Sequence, residues 1–300
     1  MTIVIVADRS SATNRALVGA FRDAGLPARR MGGAQLRAAR LLGRLDGALL
    51  LGRADVSRRL DGVGDTFWEL RRLEREGWSV VNDSRALLRC HDKLYTALEL
   101  RRAGLPHPRT ELIRSACVAP SFDGPYVVKP RFGSWGRGVE RCEDRAELRA
   151  CLKRVARRRS FGRRGILVQE YVENAATDLR VVVAGGHTVG AIQRVAAEGE
   201  WRTNVSLGGT RLAAEPPPEA SALACAAAAA VGGDLVGVDL LPVDGGYTVL
   251  ELNGAVDFTD LYGDDVFARV ARLLVPPTLE LPVPEPALVP QLAPAPVKLR

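Results

Sequence analysis

Apolar runs alternate with amphipathic segments in the first part of the chain. The runs "TIVIVAD", "DGALLLG" and "WSVVND" have the continuous apolar character of buried strands. Between them, residues 13–25 and 65–77 carry apolar side chains at helical spacing, and each segment ends at a glycine. Strands that alternate with helices predict a small parallel α/β unit. Because no glycine fingerprint follows the first strand, the pattern disfavours a dinucleotide-binding site there.

The middle of the chain carries a glycine-rich loop between two short apolar runs. A helix is predicted over residues 91–103, then a strand at 126–129, the loop, a strand at 139–142 and a helix from Asp144. Rossmann and Walker-type phosphate loops lead into a helix, whereas this loop leads into a strand. A hairpin flap can still bind phosphate through successive backbone N–H groups. The stretch "GPYVVKPRFGSWGRGVE" is therefore compatible with a phosphate-binding flap and also with ordinary turns.

Two hairpins and an alanine-rich helix are predicted in the last third of the chain. "GILVQEYVE" indicates a strand, and "DLRVVVAGGHTVGAIQRV" indicates a hairpin that turns at Gly185-Gly186. A helix follows over residues 220–231, and "LVGVDLLPVDGGYTVLELNG" predicts the second hairpin. From Pro276 onward, eight of the last 25 residues are proline, which predicts an extended, disordered tail.

The last hairpin brings two carboxylates together. If residues 244–246 form a three-residue turn, Asp239 lies directly opposite Glu251, and Asn253 lies on the same face. The intervening residues are expected to face the core: Val238, Leu240, Leu250 and Leu252. Opposed carboxylates repel each other, so the pair requires either a solvated face or a cation. A Mg²⁺ site also explains the neutral oxygen donor Asn253, and the absence of nearby Cys or His in the sequence disfavours zinc.

Composition restricts the class of protein. A length of 300 residues predicts roughly two domains. No signal peptide is expected, because Asp8-Arg9 ends the first apolar run and no basic segment precedes it. The run 222–233 is too short to cross a bilayer, so no membrane partner is expected. The five cysteines are odd in number and form no CxxC pair, which indicates free thiols in a reducing cytoplasm.

The formal charge of +7 favours an acidic partner or nucleic acid. Nucleic acid is disfavoured, because no aromatic-studded basic stripe and no helix-turn-helix signature occurs. The basic run 153–165 is typical of a solvated helix end and loop, with a docking patch as the alternative. Of the 42 lysines and arginines, only four are lysine. Lys129 ends an apolar strand, which favours a functional point charge there.

Six stretches, in this order, resemble the ATP-grasp ligases, and more narrowly their RimK/LysX-like branch. The stretches, which lie within about residues 82–260, are "HDKLYTALELRRAGLPHPRT", "YVVKPRFGSWGRGV", "ILVQEYVE", "DLRVVVAGG", "EWRTNVSLGG" and "GVDLLPVDGGYTVLELNGAVDF". The resemblance implies an α/β fold in which two subdomains sandwich ATP after an N-terminal Rossmann-like pre-ATP-grasp domain. The implied divisions are an N-terminal domain (1–87), a central subdomain with the flap (88–167), a C-terminal subdomain with the metal site (168–275) and the tail (276–300).

The resemblance also implies roles for the residues around ATP. Lys93 and Lys129 would reach the phosphates, Glu170 and Tyr171 would hold the adenine edge, and Asp178 would take the ribose hydroxyls. Taken alone, Tyr171 is more typical of a core residue. The flap residues implied to bind nucleotide are Gly133, Ser134, Trp135, Gly136 and Gly138.

A second set of residues is implied to act on the reacting groups. Arg202 and Asn204 would approach the γ-phosphate and an acyl-phosphate intermediate, while Arg180 and Arg194 resemble residues near an acidic substrate. On its strand, Arg180 could instead simply pair with Asp178. The implied ligands of two Mg²⁺ ions, for which Mn²⁺ could substitute, are Asp239, Glu251 and Asn253.

The function implied is an ATP-dependent carbon–nitrogen ligase. A carboxylate would be phosphorylated by ATP, and an amino acid amine would then displace phosphate to form an amide. The expected partners are ATP, the amino acid and a carboxylate acceptor such as an acidic carrier protein or peptide terminus, and a homo-oligomer is allowed. The alternative function is a regulatory ATP-binding module that keeps the fold without turnover. The intact set of metal ligands argues against this alternative, because a mere sensor could lose one of them.

Overall fold

The computed structural model describes residues 1–54, 65–133, 135–158, 164–173 and 176–275. The helices are α1 (Ala12–Asp23), α2 (Gly33–Leu41), α3 (Asp65–Arg75), α4 (Ser84–His91), α5 (Lys93–Arg102), α6 (Arg145–Ala156), α7 (Pro218–Val231) and α8 (Val266–Leu274). The strands are β1 (Thr2–Val6), β2 (Ala28–Met31), β3 (Ala48–Gly52), β4 (Val80–Val81), β5 (Thr110–Ile113), β6 (Tyr126–Pro130), β7 (Glu140–Cys142), β8 (Ile166–Glu170), β9 (Thr177–Ala184), β10 (His187–Val195), β11 (Thr210–Ala214), β12 (Leu235–Val243) and β13 (Gly246–Asn253).

The N-terminal sheet is parallel throughout, in the order β2-β1-β3-β4. The structure thus contains the parallel α/β unit that the alternating pattern predicts. It also contains β2 and α2, which the pattern did not reveal. Strand β2 reads "ARRM" and buries only its two end residues, Ala28 and Met31, so it lacks the apolar run that marks β1 and β3.

The predicted helix over residues 91–103 is α5 (Lys93–Arg102), and the preceding helix α4 ends at His91. Asp92 separates them with an extended backbone, and its side chain accepts a hydrogen bond from the N–H of Leu94. The carboxylate also receives two hydrogen bonds from the Arg131 guanidinium, at 2.7 and 2.5 Å. Asp92 therefore ends one helix, caps the next and ties it to the segment after β6. This arrangement fixes Lys93 as the first residue of α5.

The second sheet has the order β5-β8-β6-β7 and packs against α6. Strands β6 and β7 pair antiparallel, with Tyr126 opposite Cys142 and Val128 opposite Glu140. The structure therefore shows the predicted strand–loop–strand hairpin. Asp144 caps α6, as predicted, by accepting hydrogen bonds from the N–H groups of Ala146 and Glu147.

The third sheet is antiparallel, in the order β11-β10-β9-β12-β13. The β9–β10 hairpin turns at Gly185-Gly186, where both glycines have positive φ, as the sequence predicts. The predicted three-residue turn of the last hairpin is wrong. Val243 pairs with Gly246, so only Asp244 and Gly245 form the turn.

A β-bulge in the last hairpin brings Asp239 opposite Glu251 even though the turn is one residue shorter than predicted. Leu240 pairs with Val249, but the next pair is Asp239 with Glu251, so Leu250 is the extra residue. The two carboxylates are therefore opposed, as predicted. Leu250, which was expected to face the core, instead lines a cleft beside Glu251. Val238, Leu240 and Leu252 do lie in the core.

One hydrophobic cluster joins the N-terminal sheet to the third sheet. It contains Ile3 and Ile5 of β1 together with Val182 of β9 and Val266 of α8. The Thr13 hydroxyl reinforces this contact by donating to the carbonyl of Phe258 at 2.9 Å. The N-terminal unit therefore packs directly on the sheet that carries Asp239. None of the described helices is long and apolar enough to cross a membrane. The predicted proline-rich tail lies outside the described residues.

Candidate functional site

A cleft lined by residues of the second and third sheets opens between them. Gly133 and Gly136 of the loop between β6 and β7, which we call the flap (residues 131–139), line one side. Asp239 and Glu251 line the other. The flap and the carboxylate pair therefore border the same cleft. This geometry is the one expected if the flap covers a metal-bound phosphate.

Lys129 lies buried at the end of β6, within the cleft wall. Its ammonium donates a hydrogen bond to Gln169 Oε1 at 2.7 Å, and no carboxylate pairs with it in the described part of the chain. Burial lowers the pKa of Lys129 to about 8; Glu251 partly offsets the shift, and Lys93 adds to it. A buried ammonium without a carboxylate partner is well suited to receive an anion from outside the protein.

Lys93 lies at the start of α5 and reaches the carboxylate pair. Its ammonium lies 3.0 Å from Glu251 Oε1 and donates a hydrogen bond to the carbonyl of Gly133 at 2.6 Å. The cap at Asp92 fixes the base of this side chain. Lys93 therefore connects the flap to the β12–β13 hairpin, and its side chain is only 10% exposed.

Asp239 is held by two arginines. The Arg180 guanidinium donates to both carboxylate oxygens, at 2.6 and 2.7 Å, and Arg194 Nη2 lies 2.9 Å from Oδ2. Burial would raise the pKa of Asp239, but the two guanidinium charges outweigh it and lower the pKa to about 2. The carboxylate is therefore ionised at neutral pH, as a metal ligand must be.

Asp178 is buried within the same network. Arg194 donates to both of its carboxylate oxygens at 2.6 Å, and the Thr203 hydroxyl donates to Oδ2. Asp178 therefore does not pair with Arg180 on its own strand. Asp178 and Asp239 each pair with an arginine on a neighbouring strand instead. The ribose role of Asp178 stays a prediction.

The donor set suits a hard divalent cation. Asp239 and Glu251 present carboxylate oxygens, and Asn253 lies on the same strand as Glu251. Asn253 is not among the residues that line the cleft, and its Nδ2 is buried without a hydrogen-bond partner. Half a turn of the amide would exchange its oxygen and nitrogen without breaking a hydrogen bond of that atom. Oxygen donors of these two kinds fit Mg²⁺. Within the described residues, no group of three or more His, Cys, Asp or Glu is placed to hold a metal.

The flap rests on the loop that follows β10. Arg202 Nη1 donates to the carbonyls of Gly136 and Val139, both at 3.2 Å. Gly136 has a φ of +67°, and a Cβ there would lie 2.6 Å from Asn204 Oδ1. Glycine is therefore required at this point both by the backbone conformation and by the close approach. Trp135 in the flap is half-exposed, and Ser134 lies outside the described residues.

Glu170 and Tyr171 line the cleft at the end of β8. Arg109 binds Glu170 through its guanidinium, at 3.0 and 3.1 Å. The Tyr171 ring lies under the Arg141 guanidinium at 3.9 Å and meets the edge of the Trp201 ring at 5.7 Å. An aromatic ring fixed in this way offers a surface against which a nucleobase could pack.

Among the polar and aromatic residues of the cleft that the sequence reasoning missed are Gln169, Trp201 and Thr203. Gln169 interrupts the apolar run "ILVQE", and a polar residue inside a buried strand was the signal available. Trp201 and Thr203 stand within "EWRTN", on either side of Arg202, but neither has a pattern of its own.

A family model for the RimK-like ATP-grasp domain matches residues 90–272, which is more than half of the chain. The chain belongs to the RimK-like ATP-grasp family. Membership confirms the family resemblance and the prediction of an ATP-dependent ligase class. It also implies ATP and a divalent metal, in agreement with the oxygen donors and buried cations of the cleft.

Two relatives that are named as ligases each align with about three fifths of the chain. The chain is 35% identical over 192 residues to the tetrahydromethanopterin:alpha-L-glutamate ligase of Methanosarcina acetivorans, a match that covers 60% of this chain and 59% of that protein. It is 34% identical over 190 residues to the alpha-aminoadipate--LysW ligase LysX of Sulfolobus acidocaldarius, covering 61% of this chain and 68% of the relative. Both relatives are named as ligases.

Solved structures confirm the predicted fold. The RimK domain ATP-grasp protein of Sphaerobacter thermophilus matches with a TM-score of 0.67 at 23% identity, covering 92% of this chain and all of that one. The ATP-grasp ligase PsnB, in complex with a phosphomimetic variant of its minimal precursor, Mg and ADP, matches with a TM-score of 0.64 at 20% identity. That match covers 91% of this chain and 97% of PsnB. These likenesses establish the ATP-grasp fold.

Proposed function

We propose that the chain joins a carboxylate to the amine of an amino acid, at the expense of ATP. The observation that carries the proposal is the convergence of Lys93, Lys129 and the Asp239–Glu251 pair in one cleft beneath the flap. Two cations and two metal-binding carboxylates are what phosphoryl transfer needs, because charge builds up on the transferring group. The ligase names of the relatives support the same reaction.

The proposed reaction has two steps. In the first, an oxygen of the substrate carboxylate attacks the γ-phosphorus of ATP, and the bond to the bridging oxygen breaks to release ADP. In the second, the amine nitrogen attacks the acyl carbon, inorganic phosphate leaves, and the amine loses a proton to solvent. No side-chain nucleophile is required. The flap would exclude water, which would otherwise hydrolyse the acyl phosphate.

Individual residues have assigned tasks in this proposal. Lys129 and Lys93 neutralise phosphate charge, Arg202 and Asn204 face the γ-phosphate and the acyl phosphate, and Tyr171 with Glu170 borders the adenine. Asp239, Glu251 and Asn253 would hold two Mg²⁺ ions, or Mn²⁺ in their place, and the metal would supply Lewis-acid polarisation of the phosphate. Arg180 and Arg194 hold Asp239 in place and lie toward the acidic substrate.

The proposed substrates are a glutamate-type amino acid and an acidic protein or peptide terminus. The chain is basic, and the relatives include a ligase named for glutamate and one named for LysW. Opposite charge on enzyme and acceptor would speed their encounter. The predicted domain boundaries and a homo-oligomeric state also remain proposals.

The test is ADP release with Mg²⁺ and ATP across a panel of amino acids and carboxylates, with hydroxylamine present. Hydroxylamine converts an acyl phosphate to a stable hydroxamate, so a productive carboxylate should give both ADP and hydroxamate. ADP release that depends on no carboxylate or amine in the panel would contradict the proposal.

A further inference from the structure

Strand β11 forms an exposed edge of the third sheet. It pairs with β10 on one side, and no described strand pairs with its other side. Four of its five residues are exposed, and Leu212 is 52% exposed. An edge of this kind offers a row of backbone N–H and C=O groups to an extended peptide.

Arg211 lies on the cleft face of this edge. The register places it directly opposite Arg194, which lines the cleft. Residues directly opposite in an antiparallel pair project to the same face, and like charges in that position are unfavourable. The Arg194 charge is neutralised by Asp178 and Asp239. In contrast, Arg211 makes no ion pair or hydrogen bond with any side chain in the described part of the chain.

Strand β11 lies close to the residues that we propose contact the reacting groups. Gly209 immediately precedes β11, and its N–H donates to the carbonyl of Asn204 at 3.3 Å. Across the sheet, Arg211 is followed by Arg194, whose guanidinium lies 2.9 Å from Asp239. A peptide on β11 therefore has a short path from the exposed cation Arg211, past the paired Arg194, to the carboxylate of Asp239.

An apolar contact lies beside the same strand. The one-turn 3₁₀ helix Asp260–Tyr262 packs against β11, and its Leu261 is 38% exposed. Leu261 thus adds exposed apolar surface beside β11, whereas Leu212, the next residue after Arg211, projects to the opposite face of the sheet.

We propose that β11 docks an extended acidic segment of the peptide or protein acceptor as an added strand, with Arg211 pairing to one of its carboxylates. The inference rests on the proposed function and identifies the acceptor's chemistry. Charge complementarity selects this occupant: the protein is basic, and Arg211 is the exposed cation at this edge, whereas Arg180 and Arg194 are already paired with Asp239 and Asp178. The carboxylate to be activated would lie beyond the docked segment of the acceptor, inside the cleft.

The experiment compares a short peptide that ends in four glutamates with one that ends in four glutamines. Amide hydrogen exchange of the wild-type protein with Mg²⁺ and a non-hydrolysable ATP analogue would be followed as each peptide is added. We expect slower exchange in residues 210–214 with the glutamate peptide only. Arg211→Glu should raise the KM for that peptide about tenfold or more, as expected for a reversed interface charge, and leave the KM for ATP unchanged.

Arg149→Glu is the matched control, because Arg149 is exposed on α6 and the substitution changes the net charge equally. It should leave both KM values unchanged. An equal loss in both variants, or slower exchange elsewhere with β11 unaffected, would overturn the docking inference while ligase activity stands. Protection of β11 that depends on protein concentration without peptide would show a second copy of the chain there and would also overturn it. A wild-type protein that protects β11 but releases no ADP would instead contradict the proposed function.

Discussion

The two walls of the cleft are built in opposite ways. On the sheet side, Asp239 and Asp178 are buried, and each is held by bidentate guanidinium contacts of 2.6–2.7 Å. On the flap side, backbone carbonyls are held by Lys93 and Arg202, which are cations that phosphate would also attract. One wall is fixed by side chains that neutralise each other. The other is held through contacts that a bound anion would compete for.

This difference indicates how the site handles charge. Breaking the sheet-side network would leave uncompensated buried charge, which is costly. Lys93 and Arg202 each also contact a carboxylate, Glu251 at 3.0 Å and Glu200 at 2.7 Å. Their contacts with the flap, however, are to neutral carbonyls, which a phosphate can replace without leaving a charge unpaired. We therefore expect substitutions on the sheet side to remove chemistry, and substitutions in the flap to change nucleotide affinity and water exclusion.

Glu251→Gln should have the largest effect. The amide keeps the shape of the side chain but removes one of the two carboxylate charges that we propose bind metal, together with the carboxylate partner of Lys93. We expect turnover to fall by about a thousandfold, in line with the several kcal/mol that a catalytic metal supplies. Initial rates of ADP release with the productive carboxylate would measure it. Glu198→Gln, an exposed position outside the cleft, should retain full activity, and a wild-type rate in Glu251→Gln would contradict the metal assignment.

Lys129→Met should weaken ATP binding by about a hundredfold, because a buried ammonium beside phosphate contributes a charge-assisted contact in a low dielectric. Calorimetric titration with ATP and Mg²⁺ would measure the affinity. The exposed Lys153→Met on α6 is the control, with wild-type affinity expected. Unchanged binding in Lys129→Met would place the phosphates elsewhere.

The pH dependence of ATP binding should follow Lys129. Its pKa of about 8 in the free protein lies below the ordinary 10.5, so the ammonium loses its proton as pH rises through 8. Bound phosphate favours the charged form, so binding takes up a proton above pH 8, and affinity declines there. Calorimetry in buffers of different ionisation enthalpy would detect the uptake. Lys129→Met should abolish it, and uptake of the same size in that variant would assign the proton to another group.

Gly136→Ala, a substitution in the flap, should have a smaller effect, on the KM for ATP. Its added methyl group meets Asn204 at 2.6 Å, whereas a Cβ at Gly138, with a φ of +71°, lies 3.8 Å from its nearest neighbours. Both substitutions carry the strain of a positive φ, so Gly138→Ala isolates the effect of the clash. We expect a KM for ATP about tenfold higher in Gly136→Ala than in Gly138→Ala, in line with the cost of overpacking. Equal values in steady-state assays would show that the flap does not close against Asn204.

The sequence was sufficient to predict the elements that local patterns determine. Buried strands such as β1 and the turn at Gly185-Gly186 follow from apolar runs and glycine pairs. The register of the last hairpin shows the limit. The opposition of Asp239 and Glu251 was predicted from a wrong turn, and it holds because the bulge at Leu250 compensates. Bulges arise from packing across the sheet and carry no short sequence signal.

The site could be predicted only as a set of residues. Lys93, Lys129, Asp239 and Glu251 do converge, but their partners depend on tertiary contacts. Gln169 beneath Lys129 comes from a strand forty residues away along the chain. The pairing of Asp178 and Asp239 with Arg194 and Arg180 depends on which strands are neighbours in the sheet. No single segment of the sequence determines that strand order.

Transfer of isotope from the carboxylate to phosphate tests the central claim most directly. A productive carboxylate substrate labelled with ¹⁸O would be converted with ATP, Mg²⁺ and the amine, and the released phosphate analysed by mass spectrometry. Attack of the carboxylate on ATP leaves one substrate oxygen on phosphorus, so the account predicts one ¹⁸O atom in each phosphate formed with amide. Amide formation accompanied by unlabelled phosphate would contradict the acyl-phosphate route.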